Sequence, residues 1–430
     1  MQGPCMGYDG PRIALGRDDL ADRPPGGATR GTKEMNENAR DLPGPTSPAS
    51  GRQRRLATPI PLFDLAAQHR ALERPIREAV SRILETGGFI LGEEVEAFER
   101  EYSSFIGVKH AVGVGSGLDA LVLAMKALGI GKGDEVMLPA STFIGTPMGV
   151  MAAGARPVLV DVDPDRYTLD PDRAAKAVTK KTRAIIPVHL YGQSADMTAL
   201  RELATRKGLA IVEDACQAHG AALNGVRCGA MSDAGCFSFF PTKNLGGLGD
   251  GGIVVTDRDE VADQVRLLRS YGERRKGEYV VAGVNSRLDA LQASVLRVKL
   301  RHLTRWNEAR RRHAAHYAQA LSGVPVVTPR EASGATHVYY AFVIRAPRRD
   351  ELLRHLEGMG ISCAVHYPIP VHLQEAFAGL GYAPGSFPVA ERLAGEILTL
   401  PMYPEMADSD VDRVCEAIST FYAGAAPQGS

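Results

Sequence analysis

"RAIIPVHLYGQSADMTALRELATRKGLAIVEDA", residues 183–215, decides the fold. An apolar run, a polar turn, a helical segment and a second apolar run follow one another, and the second run ends in Glu213-Asp214. The apolar runs are continuous rather than alternating, the pattern of strands buried on both faces. Strand, helix and strand in that order signal a mostly parallel sheet covered by helices.

The rhythm extends in both directions. Upstream, two helices in "TPIPLFDLAAQHRALERPIREAVSRILE" lead to strand "HAVGVG", helix "LDALVLAMKALG" and strands "DEVMLPA" and "RPVLVDV". Downstream, "AGCFSFF" and "GGIVVTD" flank "PTKNLGGLGD", before one long helix, "RLDALQASVLRVKLRHLTRWNEARRRHAAHYAQAL". From about residue 323 the pattern becomes α+β: strand "HVYYAFVIRA", helix "RRDELLRHLEGMG", strand "CAVHY" and two more helices. The fold class is α/β, with a large domain over 58–305 and a smaller C-terminal α+β domain over 306–423, followed by a tail at 424–430.

At 430 residues the chain exceeds one typical core, in keeping with two domains. Zero formal net charge and 23% charged residues carry no polycationic signal for nucleic acid. No uninterrupted apolar stretch is long enough to span a bilayer. The six cysteines form no CxxC pair and no metal-ligand spacing, so they read as reduced thiols of a cytoplasmic protein with no metal centre. Residues 1–57 hold nine glycines and seven prolines and lack the apolar region of a secretory signal. They read as a disordered leader, with Met35 as a later candidate initiator.

Ligands of open α/β sheets collect beyond the carboxyl ends of the strands. There Glu213-Asp214 is either a helix N-cap or a ligand pair. Near Ser116 and Gly117 a helix begins whose unpaired N–H groups suit a phosphate. Phe143, in "STF", is either plain core or an aromatic ring over the same mouth. Lys243, in "SFFPTKNLGGLGDGG", is either a surface lysine or a desolvated amine freed to act as a nucleophile. Its glycines follow it, unlike those of a P-loop, and the G-x-G-x-x-G match at Gly247, Gly249 and Gly252 precedes a strand where a dinucleotide site needs a helix. A pyridoxal phosphate site needs a lysine, an acid for the pyridinium nitrogen, a phosphate cradle and an aromatic face, and the chain offers one of each.

"VEDACQAHGA", "FSFFPTKNLGGLGDGG", "GVNSRLDALQASVLRVKL" and "HYPIPVHLQEAF" resemble the DegT/DnrJ/EryC1/StrS family of sugar aminotransferases from about Pro59 to Phe421. The resemblance implies the aspartate-aminotransferase fold (fold type I) and pyridoxal 5'-phosphate as cofactor. It implies Lys243 as Schiff-base lysine and proton shuttle, Asp214 facing the pyridine nitrogen and Gln217 at the ring hydroxyl. Ser238, Gly117 and the Leu118 backbone would hold the phosphate, and Phe143 would stack on the ring. Asn285 would reach the phosphate of a partner subunit, which makes a homodimer the working unit. Many members carry threonine at Leu118 and other branches histidine at Gln217; both departures resemble the branch acting at C3 of dTDP-linked keto-deoxysugars, with glutamate as donor. The alternatives are a 4-keto sugar nucleotide, a keto-inositol or cyclic aminoketone precursor, and a cofactor-binding regulator without turnover.

His189 reads as either a cofactor-mouth residue or a structural one, and His366 and His372 as lining for a substrate channel. Tyr191 and Arg287 are candidates for sugar or diphosphate, while His313, His316 and the basic "ARRRHAA" read as solvated.

Overall fold

The computed structural model describes residues 58–424, so the expected leader and residues 425–430 of the expected tail lie outside the described residues. Seven strands form the main sheet: β1 (His110–Val114), β2 (Glu135–Pro139), β3 (Arg156–Val160), β4 (Thr182–Ile185), β5 (Ala210–Asp214), β6 (Ala234–Ser238) and β7 (Gly252–Thr256). Their spatial order is β1-β7-β6-β5-β4-β2-β3. β7 runs antiparallel to both neighbours, and every other pairing is parallel.

Successive residues of a strand point to opposite faces, so a strand buried on both sides must be apolar at every position. Val112, Val136, Val212, Cys236 and Val254 enter one core with Leu121 and Met125 of the helix Gly117–Ala127. Ala111, Met137, Ile211, Phe237 and Ile253 enter the other with Phe98 and Tyr102 of the helix Glu93–Ile106. A third core gathers Tyr317, Phe342, Leu352, Leu398 and Ile418. It lies about an antiparallel pair, Phe342–Arg345 with Ile397–Leu400.

The C-terminal third departs most from the sequence reading. The strand expected across "HVYYAFVIRA" is confined to Phe342–Arg345, because Tyr339 takes a left-handed φ of 44° that interrupts extended chain. "CAVHY" contributes only an isolated bridge from Ala364 to Thr399. Ile397–Leu400, which the sequence reading did not single out as a strand, is one with all four residues buried. The expected long helix is two, Ala290–Leu300 and Leu303–Ala320, which bury Leu296 in the second core and Tyr317 in the third. Three helices rather than two precede β1: left-handed Gly87 and Gly92, at φ 69° and 80°, separate the helices Glu73–Thr86 and Glu93–Ile106, which follow Leu65–Ala71. "ARRRHAA" is not a solvated face, since Arg310 and His313 are buried and the Arg310 guanidinium donates to the Met402 carbonyl at 2.8 Å. Among the described residues no helix is long and apolar enough to cross a membrane.

Candidate active site at the carboxyl edge of the sheet

β5 delivers Glu213 and Asp214 to opposite faces. Asp214, 6% exposed, turns toward the helix Gly117–Ala127; its Oδ2 accepts from Thr146 Oγ1 at 2.8 Å and its Oδ1 from the Cys216 N–H at 3.2 Å. Two carbonyl–amide bonds clamp its backbone to the neighbouring strand end, Asp214 N to Pro187 O and His189 N to Asp214 O, at 2.9 and 3.0 Å.

β1 runs directly into the helix Gly117–Ala127, whose N-cap Ser116 accepts from the Asp119 N–H at 3.1 Å, a cap worth about 1 kcal/mol. The N–H groups of Gly117 and Leu118 have no acceptor within the helix. The end of β6 and the start of β7 close on this turn. A methyl group on Gly117 would lie 2.6 Å from Ser238 Cβ and 2.9 Å from Cys216 Sγ, and one on Gly252 only 2.2 Å from the Ser116 carbonyl oxygen. Glycine is therefore required where these backbones meet, and Gly117, Ser238 and the helix N-terminus form one closely packed, donor-rich corner.

The β6–β7 loop carries Lys243. Its Nζ lies 4.3 Å from the centroid of the Tyr340 ring, within cation–π range. The loop folds back on itself: Lys243 N–H donates to Phe240 O at 2.9 Å and Gly247 N–H to Phe239 O at 2.8 Å. Asn244 pins it from below, donating to Asn307 Oδ1 at 2.8 Å and to Val338 O at 3.0 Å. Half-exposed Phe143 stands 5.6 Å from the Tyr367 ring, and Leu118, next after Gly117 at the helix N-terminus, is 38% exposed. Gln217 accepts from the Tyr191 N–H at 2.8 Å and donates to the Tyr367 hydroxyl at 3.2 Å.

Asn285 is exposed; its neighbour Ser286 ties the segment to the phosphate turn, accepting from Gly115 N–H at 3.0 Å and donating to Asp119 at 2.9 Å. Arg287 is half-buried, 5.8 Å from the Tyr271 ring, with its Nε lacking a hydrogen-bond partner among the described residues. His366 bonds Thr399 through Nδ1 at 2.8 Å and takes the Tyr191 hydroxyl on its carbonyl. Burial, with the Lys243 charge adding, lowers its pKa below the ordinary histidine value, so the ring is neutral beside that cation.

Two of the expected site histidines are enclosed by the fold. His189 is fully buried, its Nε2 at 2.8 Å from Glu213 and its Nδ1 accepting from the Ala195 N–H at 3.0 Å. His372 is enclosed too, bonded to Glu391 at 2.9 Å and edge-on to Phe387. His189, Glu213 and Cys228 bring ligand atoms within 4.8 Å of one another, yet protein donors already saturate the carboxylate, which leaves no vacancy for an ion. Sequence reasoning missed Thr146, Tyr340, Tyr367 and His219. His219 donates to the Ser238 carbonyl at 2.9 Å, and burial pushes its pKa down to about 3. Only Thr146, three residues after Phe143, had a sequence cue.

A lysine on an inter-strand loop, a buried carboxylate, a glycine-lined helix N-terminus and an exposed aromatic at one sheet edge define a pyridoxal-phosphate-dependent transferase of fold type I. The chain belongs to the DegT/DnrJ/EryC1/StrS aminotransferase family, whose profile matches residues 71–419. It is 48% identical to the dTDP-3-amino-3,4,6-trideoxy-alpha-D-glucose transaminase of Streptomyces venezuelae over 85% of this chain and 97% of that protein. It is 50% identical to the erythromycin biosynthesis sensory transduction protein EryC1 of Saccharopolyspora erythraea over 85% and 100% of the two chains. The crystal structure of S. venezuelae DesV in complex with a ketimine intermediate superposes with a TM-score of 0.83 at 48% identity, covering 84% of this chain and 98% of that one. Pyridoxal 5'-phosphate is the family's cofactor, and the unpaired N–H groups at the start of the helix Gly117–Ala127, packed against Ser238, suit its phosphate.

Proposed function

We propose that this aminotransferase converts a dTDP-linked 3-keto-6-deoxyhexose to the 3-amino sugar, with glutamate as amine donor. The observation that carries the reading is the convergence of Lys243, Asp214 and the Gly117 helix N-terminus at one strand edge. The relatives above, matched nearly end to end, support the choice of a sugar ketone.

Lys243 would hold the cofactor through its amine and, once displaced by the donor, carry the proton to and from the carbon that bears nitrogen. Asp214, fixed by Thr146 and the Cys216 N–H, would keep the pyridine nitrogen protonated. Bound there, the cofactor supplies an electron sink for the carbon that loses its proton. Gly117, the Leu118 N–H and Ser238 would take the phosphate, Gln217 the ring hydroxyl, and Phe143 the ring face. Tyr191 and His366 would face the sugar, with Arg287 a candidate for its diphosphate. Proton transfer of this kind contributes roughly 100- to 10,000-fold.

The working unit would be a homodimer in which Asn285 completes the partner subunit's phosphate site, consistent with its exposure on a segment strapped to the phosphate turn. The third core would belong to a small domain over 306–423. Five unpaired cysteines among the described residues favour a reducing, cytoplasmic setting. Absorbance of the bound cofactor tests the reading: glutamate should shift it and a dTDP-3-keto-6-deoxyhexose should restore it. Restoration only by a 4-keto sugar or keto-inositol would move the substrate, and no response to any donor would favour a regulator.

A further inference from the structure

Lys299, on the helix Ala290–Leu300, is fully buried. Its Nζ donates to the Gly246 carbonyl at 2.7 Å and lies 3.0 Å from His69 Nε2. Gly246 follows Lys243 by three residues and closes the loop that carries it; a methyl group there would lie 2.2 Å from the Pro241 carbonyl oxygen. The turn is thus packed backbone against backbone, and a force on its Gly246 corner is transmitted to Lys243.

Burying an ammonium is expensive, and a methionine would fill a similar volume without that penalty. Burial lowers the Lys299 amine to about 8, with Glu405 acting in the opposite direction. His69 is lowered by its own burial and then by the Lys299 charge, which leaves its Nε2 as an acceptor. Charged or neutral, the amine keeps an N–H for Gly246.

We propose that Lys299 is a positioning residue for the reaction: through the Gly246 carbonyl it sets the turn that presents Lys243 to the cofactor. This rests on the reading of Lys243 as the cofactor-binding lysine. Full-length wild type, Lys299→Met, Lys299→Gln and Lys243→Ala proteins are stripped of cofactor and given a fixed, subsaturating amount of pyridoxal phosphate. Borohydride traps the covalent adduct, and peptide mass locates it; melting of the cofactor-free proteins and the kcat and KM of transamination are measured alongside.

Trapping at Lys243 should fall about tenfold in Lys299→Met, since small displacements of a reacting group carry penalties of this size or larger. kcat should fall with it, while KM for the ketone holds. Lys299→Gln, which keeps an N–H donor, should fall between and serves if the methionine protein does not fold. Wild-type trapping and kcat in the substituted proteins, whatever their melting temperature, would overturn the proposal and leave the functional reading intact. An adduct that survives in Lys243→Ala at the wild-type level would remove both.

Discussion

The two faces of the sheet at the end of β5 are finished in opposite ways. On one, Glu213 accepts from His189, Gly229 N–H, Met231 N–H and Ser232, all within 2.8 Å, so its oxygens are filled by the fold itself. On the other, Asp214 accepts from Thr146 and Cys216 alone among the described residues, which leaves acceptor capacity unused. The two are adjacent acids, both buried, and both follow the same apolar run. What separates the two carboxylates is how many lone pairs the protein leaves unused, which favours Asp214 for the role proposed above.

The sharpest way to break this contrast is on the open face. Lys243→Ala should abolish transamination, by at least about 10,000-fold in kcat/KM, with the fold retained by circular dichroism. Asp214→Asn, which keeps the shape and removes the anion, should lower kcat on the order of 100- to 1,000-fold and leave the melting temperature nearly unchanged.

On the closed face the effects should exchange. Glu213→Gln turns an N–H toward N–H donors and removes the charge that strengthens the buried hydrogen bonds to the carboxylate, so it should destabilise by about 3 kcal/mol in denaturant titration while the folded fraction keeps its kcat. A protein that lost kcat and kept its stability would erase the distinction between the two acids. Burial by itself would raise the Glu213 carboxyl, but the His189, Gly229 and Ser232 bonds outweigh it and hold the pKa below the ordinary value. The folded state therefore binds this proton less tightly than the unfolded chain does. The stabilisation is present above the unfolded pKa of about 4.3 and is lost as pH falls through the lower folded value. Melting temperature measured from pH 6 downward should fall less steeply in Glu213→Gln than in wild type.

The smallest expected effect lies at Leu118, where the helix offers only an N–H. Leu118→Thr adds a hydroxyl for phosphate and should tighten pyridoxal phosphate binding by about 1 kcal/mol, roughly fivefold in Kd by cofactor titration. An unchanged Kd would place the Leu118 side chain away from the phosphate.

Much of the parallel sheet was legible because two-sided burial writes itself as uninterrupted apolar runs, and β1 to β7 all carry that mark. Lys243, Asp214 and Gly117 stood out because each follows such a run at a carboxyl end or loop. The C-terminal third was harder to read: Tyr340 and Tyr367 lie in irregular chain, where no period points to a site, yet they stand against Lys243 and Gln217. His189 and His372 looked like site residues because sequence shows a polar group near an edge and not which way its ring turns.

The order of apolar runs and the chemistry of a few residues were enough to determine an α/β sheet and to single out Lys243 at its edge, since local burial patterns and side-chain types act over a few residues. Which of two neighbouring acids keeps acceptor capacity free, which histidines are enclosed, and which buried lysine bonds the Gly246 turn were decided only in three dimensions. Each depends on donors that arrive from elsewhere in the chain: Thr146 to Asp214, Gly229 to Glu213, and Lys299 to Gly246.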